Sequence, residues 1–279
     1  PMMILQRGCT CSSTVMQYAR DLLPNQGVPI FKTSIKELFR SNNLDKLPWH
    51  QSGDDLTQTI QRGLEQTSKD GLAMIFNTFR MVNTSSHESL NDVLLAHGTR
   101  SVIVHRKNAL DTLVCEVRDC FKGGEGSSRA PRGYPVDLSG EPNDICFLRR
   151  GPDGGGIKTK AVINVTNMFD HMKEAMTYPT EQKEVLSGLG FPDAEVVTAE
   201  DLLGHEYSAN NLPASFAAWK KLLRSFGITP NGPKLTRFLS SRVNTYSAPE
   251  SHRDSIWNLE AVKKEMEKSE MPIQWMLRD

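Results

Sequence analysis

The stretch Ser101-Val102-Ile103-Val104-His105-Arg106-Lys107-Asn108 is the part of the sequence that decides the fold class. Its first half is a short, β-branched apolar run, which predicts a strand buried on both sides. A helix is predicted from about Asn108. Apolar side chains recur there with helical spacing, at Leu110, Leu113, Val114, Val117 and Phe121. A buried strand that leads directly into a helix is typical of a parallel sheet.

The same alternation of strand and helix occurs at the start of the chain and again later. Met2–Leu5 is an apolar run that predicts a strand, and Thr14–Leu23 has the apolar spacing of a helix. Leu72–Phe76 and Ala194–Val197 are two further strand candidates. The sequence therefore predicts an α/β fold with a doubly wound parallel sheet flanked by helices.

A single domain over residues 1–279 is predicted, because no internal repeat and no flexible linker separates two cores. Residues 122–160 are predicted to be a long irregular insertion, bracketed by glycine-rich segments. Irregular segments of that length are usually functional loops or disordered. Met168, Met172 and Met176 recur in step on a predicted helix, which favours core-facing side chains over a cofactor site.

The overall charge excludes some partners. The 279 residues include 33 basic and 33 acidic side chains, so the formal net charge is zero. Without a bulk positive field, binding to nucleic acid or to an anionic membrane surface is not expected. A membrane span is not expected either, because no run approaches the ~20 apolar residues that would cross a bilayer. Any bound anion must therefore be held by a local cluster of side chains.

Five cysteines, an odd number at low density, favour a reducing environment over a disulfide scaffold. Cys9 and Cys11 lack both the spacing and the second ligand pair of a zinc site, so no metal is expected. We expect a soluble protein of the cytoplasm, or of an organelle lumen without disulfides. The sequence starts at Pro1 with no visible signal peptide, and any targeting residues trimmed upstream would be lost.

The first candidate site is the segment Arg7-Gly8-Cys9-Thr10-Cys11-Ser12-Ser13-Thr14, between the first predicted strand and helix. Backbone N–H groups and the positive end of the helix dipole favour an anion there, and hydroxyl groups and Arg7 can add to them. Serine and threonine are also ordinary helix-capping residues, which is the simpler interpretation. The G-x-x-x-x-G-K-[ST] pattern is absent, which argues against chemistry on ATP or GTP.

Two further segments could bind an anion. Arg106 follows the central predicted strand, where ligands bind in open α/β sheets, and a guanidinium group can bind phosphate bidentately. A late segment from Lys234 to Arg253 is rich in basic and hydroxyl side chains and includes Arg242. Taken singly, each is more simply a solvated surface group or an ion pair. Together, the three segments suit a ligand with two anionic ends and no Mg²⁺.

In this order, the segments resemble those of the PAPS-dependent sulfotransferases, and most closely the trehalose sulfotransferase-like branch. The donor PAPS, 3′-phosphoadenosine 5′-phosphosulfate, has two anionic ends. Residues 7–14 resemble the family's 5′-phosphosulfate loop, and residues 102–115 resemble its 3′-phosphate strand and helix. Val197–Leu203 is similar to the family's "YEDLL" stretch, and Asp254–Val262 with Trp275–Leu277 resembles the C-terminal end of that branch.

The resemblance implies a P-loop-like doubly wound sheet that moves a sulfuryl group from PAPS to a hydroxyl or amine of a small metabolite, sugar or lipid. The product 3′,5′-ADP leaves, and no metal is needed. The implied donor-binding residues are Arg7, Gly8, Cys9, Thr10, Cys11, Ser12, Ser13, Thr14, Arg106, Cys115, Arg242 and Arg253. The chain departs from the family where Cys9 and Cys11 interrupt the loop hydroxyls. It departs again on the helix after Arg106. The family's 3′-phosphate-binding serine would fall near Val114 or Cys115 there, and a thiol donates a hydrogen bond only weakly.

The resemblance also suggests catalytic roles. Arg7 and the helix N-terminus would stabilise the charge on the leaving phosphate. Glu37 lies where the trehalose-type branch has its base, although an ordinary exposed carboxylate explains it equally well. His105 is the second candidate base, and a structural histidine of the strand is the simpler interpretation. Lys32 is a weaker candidate, which would help the bridging oxygen.

The acceptor is expected to enter between residues 36–60 and residues 122–160, the long segments around the active edge. The sequence leaves its identity open, together with O- versus N-sulfation and the oligomeric state. One alternative is a nucleotide-dependent phosphoryl transferase on the same fold, against which the missing nucleotide motifs count. Another is a catalytically inactive, sulfotransferase-like binding module, which the altered first loop and Cys115 favour.

Overall fold

The computed structural model describes most of the chain. The described residues are 1–6, 12–22, 30–34, 49–69, 75–78, 88–119, 148–149, 160–161, 163–243, 251–269 and 273–277. They group into two compact units, each built from two separate stretches of sequence. The first unit comprises Pro1–His105 and Tyr178–Tyr246, and the second comprises Arg106–Thr177 and Ser247–Asp279. The single domain over residues 1–279 stays a prediction.

Strands and helices alternate along the described residues. Their strands are β1 (Met2–Gln6), β2 (Ile30–Ser34), β3 (Ile75–Thr78), β4 (Arg100–His105), β5 (Leu148–Arg149), β6 (Lys160–Ala161) and β7 (Glu195–Thr198). Their α-helices are α1 (Ser12–Leu22), α2 (Leu56–Lys69), α3 (Glu88–Ala96), α4 (Ala109–Asp119), α5 (Met168–Gly188), α6 (Ala199–Leu203), α7 (Leu212–Ser225), α8 (Gly232–Ser240), α9 (His252–Ser255) and α10 (Leu259–Glu267). Short 3-10 turns lie at Gly204–Glu206, Ala209–Asn211 and Gln274–Met276.

The first unit contains a five-stranded sheet in the order β2-β3-β1-β4-β7, in which every neighbouring pair is parallel. β1 lies at the centre, with Met2 beside Ile75 of β3 on one side and beside Arg100 of β4 on the other. The four strands predicted from the sequence correspond to β1, β3, β4 and β7. The predicted α/β class, with a parallel sheet flanked by helices, is confirmed.

Helices cover both faces of this sheet. Met2 and Ile4 of β1 belong to one apolar cluster, whose helical members come from α1, α6, α7 and α8. Met3 and Leu5 belong to the other, with members from α2, α3 and the C-terminal half of α5. Successive side chains of a strand point to opposite faces, so a strand covered on both sides needs apolar residues throughout. The unbroken apolar runs of β1 and β4 have this physical cause.

The second unit has its own core. It contains α4, the N-terminal half of α5, α9, α10 and the antiparallel pair β5 and β6, in which Leu148 lies beside Ala161. Its buried side chains include Leu110, Leu113, Met168, Met172, Ile256, Val262 and Met266. His252 Nε2 and Asp111 Oδ1 are 2.9 Å apart, and this buried pair joins α9 to α4. Apolar helix packing and the buried His252–Asp111 pair thus both stabilise this unit.

The methionine prediction holds at two of its three positions. Met168 and Met172 are fully buried in the second unit's core, whereas the side chain of Met176 is 45% exposed. A spacing of eight residues on an α-helix leaves the last side chain about 80° away from the first. Met176 therefore points away from the core in which Met168 is buried.

Candidate functional site

The two principal candidate segments follow two adjacent strands of the sheet. β1 and β4 are parallel neighbours, with Gln6 beside Val104. After β1 the chain continues to β2 on one side of the sheet, and the next sheet strand after β4 is β7 on the other side. In open α/β sheets, such a reversal between neighbouring strands marks the place where ligands bind, outside the carboxyl ends. The switch point of this sheet therefore lies at the ends of β1 and β4.

The segment after β1 is described only in part. Arg7, Gly8, Cys9, Thr10 and Cys11 lie outside the described residues, and so do the side chains of Ser12 and Ser13. The backbone of α1 begins at Ser12, and Thr14 in its first turn is half-buried. The first turn contains no acidic residue. The positive end of the α1 dipole is therefore not offset by a carboxylate in that turn.

The predicted residues after β4 are described. His105 is the last residue of β4, is half-buried, and lies beside Thr198 of β7. Arg106 follows it directly, is half-buried, and already has interaction partners in the protein. The donor-binding role of Arg106 and the basic role of His105 stay predictions.

The start of α4 is occupied by a buried side chain. Asn108 Oδ1 accepts hydrogen bonds from the N–H groups of Leu110 at 3.1 Å and Asp111 at 3.2 Å. Its Nδ2 donates to the Met276 carbonyl at 2.8 Å. The predicted helix after Arg106 is thus present and capped by Asn108, because the Asn108 oxygen takes two of the N–H groups that a helix start leaves unpaired. Anion binding after β4 would therefore depend on Arg106 more than on this helix start.

Four other predicted donor-binding or catalytic residues have different surroundings. Cys115 on α4 is half-buried, and its sulfur is disulfide-bonded, so it has no S–H group to donate to a phosphate. Arg253 is exposed on α9 and lines a pocket of the second unit. Glu37 lies outside the described residues, and Lys32 is described only as backbone of β2. The predicted roles of Arg253, Glu37 and Lys32 are not tested by these positions.

Arg242 lies against α1 in the first unit. Its Nη2 donates to Asp21 Oδ2 at 3.0 Å, and its guanidinium carbon lies 4.4 Å from the Tyr18 ring centroid and 4.6 Å from that of Phe238. An ion pair combined with stacking on two rings fixes an arginine in one orientation. The described contacts of Arg242 are therefore structural, and its donor-binding role stays a prediction.

A buried polar cluster beside Arg242 was not predicted. The hydroxyl of Tyr18 donates a hydrogen bond to the Glu206 carboxylate, and both side chains are almost fully buried. His205 is fully buried as well, and neither of its ring nitrogens meets hydrogen-bond geometry. Its ring centroid lies 6.0 Å from that of Tyr18. The cluster joins α1 to the Gly204–Glu206 turn.

Burial controls the protonation of this cluster. It raises the pKa of the Glu206 carboxyl group, and the hydrogen bond from Tyr18 and the Arg242 charge only partly oppose that shift. Burial, followed by the hydrogen bond to Glu206, also raises the pKa of the Tyr18 hydroxyl. Burial lowers the pKa of the His205 imidazole, and the Leu202 carbonyl opposes that shift. The cluster therefore favours neutral side chains around Arg242.

Replacement of Glu206 by glutamine should remove a pH dependence of stability. The folded-state pKa of Glu206 lies above its unfolded value, so the stability it contributes is complete below about pH 4.5 and is lost as pH rises through the folded-state pKa. Glutamine retains an oxygen that accepts from Tyr18 and carries no charge. The thermal midpoint of Glu206→Gln, measured from pH 4 to 8, should therefore exceed that of the wild type by a margin that grows with pH. The exposed Glu184→Gln is the control, and parallel curves for Glu206→Gln and the wild type would contradict the assignment.

Among the described residues, no group of three or more His, Cys, Asp or Glu side chains could hold a metal ion. None of the described helices combines the length and the apolarity needed to cross a membrane. The compartment of the protein stays a prediction.

A comparison with protein-family models gives no match, and comparisons with curated proteins and with solved structures give no significant match. The function is therefore inferred from the residues and from the geometry of the sheet.

Proposed function

We propose that this chain is a PAPS-dependent sulfotransferase with a P-loop-like doubly wound sheet. It would move a sulfuryl group from PAPS to a hydroxyl or amine of a small metabolite, sugar or lipid, and release 3′,5′-ADP. One observation supports this best. The strand order β2-β3-β1-β4-β7 has its switch point at β1 and β4, the two strands that precede the candidate anion-binding segments.

The donor would bind across the ends of these two strands. Neighbouring strands lie about 4.8 Å apart, so groups that follow β1 and β4 can contact two ends of one nucleotide. In this proposal the residues 7–14 hold the 5′-phosphosulfate, and Arg106 holds the 3′-phosphate. Backbone N–H groups at the start of α1 add to the first contact.

The reaction needs one bond to form and one to break. The acceptor oxygen or nitrogen attacks sulfur in line, and the bond from sulfur to the bridging phosphate oxygen breaks with its electron pair on that oxygen. The departing 5′-phosphate of 3′,5′-ADP gains negative charge, which Arg7 and the start of α1 would stabilise. Glu37 would take the acceptor's proton, with His105 as the second candidate. No metal ion takes part in this mechanism.

A catalytically inactive binding module is the second candidate function. The observation that favours it is the first loop, in which Cys9 and Cys11 stand between the hydroxyl residues. A thiol donates a hydrogen bond more weakly than a hydroxyl, so transition-state stabilisation could be lost while nucleotide binding is kept. A phosphoryl transferase is disfavoured by the absence of the nucleotide-binding pattern.

Thermal unfolding with added nucleotides distinguishes a protein that binds the PAPS nucleotide from a phosphoryl transferase, and the sulfuryl-transfer assay distinguishes the enzyme from the inactive module. We expect 3′,5′-ADP to raise the thermal midpoint, because a ligand at 100 times its Kd stabilises the folded state by about 2.7 kcal/mol. ATP with Mg²⁺ should have a much smaller effect. Stabilisation by ATP–Mg²⁺ alone would indicate a phosphoryl transferase, and no response to either nucleotide would contradict donor binding altogether.

A further inference from the structure

The second unit has a surface pocket that includes Arg253, an implied donor-binding residue, and no other residue assigned to the proposed reaction. Its volume is about 570 Å³, which is large enough for a sugar ring. The lining includes the aromatic side chain of Trp257 and the charged side chains of Arg253, Glu260 and Lys263. Ile256 and Leu259 also line the pocket but are buried, so the apolar surface that the pocket offers comes mainly from Trp257.

The backbone that carries Trp257 is held in place by its neighbours in the same unit. Trp257 N donates to the Ala161 carbonyl at 2.8 Å. The next residue, Asn258, accepts from Ile163 N at 2.9 Å and donates to the Ile163 carbonyl at 2.7 Å through its side chain. The indole is nevertheless 45% exposed. A fixed backbone with a half-exposed indole loses little conformational entropy when a ring stacks on it.

The charged groups supply both hydrogen-bond donors and an acceptor. Arg253 and Lys263 can donate, and the Glu260 carboxylate can only accept. Lys263 Nζ lies 3.4 Å from Glu260 Oε1, so this pair largely cancels its own charge. The presence of a carboxylate disfavours a phosphate or sulfate ligand. A neutral ring with several hydroxyl groups, which both donate and accept, suits this combination.

We propose that this pocket binds the pyranose ring of a neutral sugar. The less polar face of the ring stacks on the Trp257 indole, and its hydroxyl groups bond to Glu260, Lys263 and Arg253. Stacking removes apolar surface of both partners from water, which supplies the affinity. The polar side chains fix the orientation of the ring. This inference concerns binding alone, and it assigns Arg253 to the sugar instead of the donor.

Ligand-observed NMR and isothermal titration calorimetry on the full chain test the proposal. The probes are methyl α- and β-glucopyranoside, maltose, cellobiose, glucose 6-phosphate and inorganic phosphate. We expect at least one neutral sugar to bind with a Kd on the order of 1 mM, a modest affinity typical of a small ligand on an open surface. Trp257→Ala should weaken that binding at least about tenfold. Glu260→Gln should weaken it less, because the amide oxygen still accepts.

Matched controls separate the pocket from general surface effects. Trp275 is 60% exposed and does not line the pocket, so Trp275→Ala should leave sugar binding unchanged. Lys264 is exposed on the same helix outside the pocket, so Lys264→Ala is compared with Lys263→Ala. Thermal midpoints check that each variant is folded. No binding by any neutral sugar, unchanged binding in Trp257→Ala, or binding of phosphate compounds alone would overturn the proposal.

Discussion

Trp219→Ala is expected to lower the free energy of unfolding by about 3–5 kcal/mol, the usual cost of truncating a buried tryptophan. The side chain belongs to α7 and has no exposed surface. It lies in the apolar cluster that α1 and α7 form with one face of the sheet. Its ring centroid is 5.7 Å from that of Tyr18, and its Nε1 donates to the Leu202 carbonyl at 2.8 Å. The substitution leaves a cavity and removes the indole hydrogen bond to the Leu202 carbonyl, and both losses are destabilising.

Urea unfolding measured at a fixed pH tests this prediction. Trp275→Ala is the matched control, because the Trp275 side chain is 60% exposed and its loss should change stability by less than about 0.5 kcal/mol. A change of less than about 1 kcal/mol in Trp219→Ala would show that the packing of α7 on the sheet is wrong.

Arg106→Ala should weaken binding of 3′,5′-ADP by roughly 10- to 150-fold, the effect of losing a hydrogen bond to a charged group. Arg106 directly follows β4 at the switch point of the sheet, and the proposal assigns it the 3′-phosphate. Calorimetric titration of the purified variant gives the Kd. The neighbouring Lys107 is exposed, so Lys107→Ala serves as the matched control and should have a much smaller effect.

A second variant keeps this prediction testable if Arg106→Ala is unstable. Arg106→Lys keeps the charge and removes the planar fork that binds phosphate bidentately, so its affinity should be intermediate. Equal affinities of the wild type and both Arg106 variants for 3′,5′-ADP would show that Arg106 does not hold the 3′-phosphate.

The parts of the fold with strong periodicity could be predicted from the sequence. β4 was predicted closely, because its apolar residues face helices on both sides of the sheet. The predicted strand Leu72–Phe76 overlaps β3 at Ile75 and Phe76, and its first three residues lie outside the described residues. Ile75 of β3 lies beside Met2 of β1. The local sequence of a strand does not determine which other strand it pairs with. For the same reason, the division of the described residues into two units was not predicted.

In the candidate site too, the parts that depend on local sequence could be predicted, and the parts that depend on tertiary packing could not. Strand–loop–helix patterns located the segments after β1 and β4, since both follow from local sequence and from the general rule for parallel sheets. The cluster of Tyr18, His205 and Glu206 had no such signal. Tyr18 and Glu206 are 188 residues apart in the chain, and only tertiary packing brings them together. Arg242 was predicted to bind the donor. Its partner Asp21 lies 221 residues away in the chain, so the local sequence does not reveal the ion pair.

Transfer of ³⁵S-labelled sulfuryl from PAPS to a panel of hydroxyl- and amine-bearing acceptors tests the central claim most directly. The panel covers sugars, lipid alcohols and small polar metabolites, and released 3′,5′-ADP is measured in the same samples. The proposed function predicts labelled product from at least one acceptor, one 3′,5′-ADP per sulfuryl group transferred, and a large loss of both in Arg106→Ala. Absence of labelled product and of 3′,5′-ADP release with every acceptor, from protein that is folded, would contradict it.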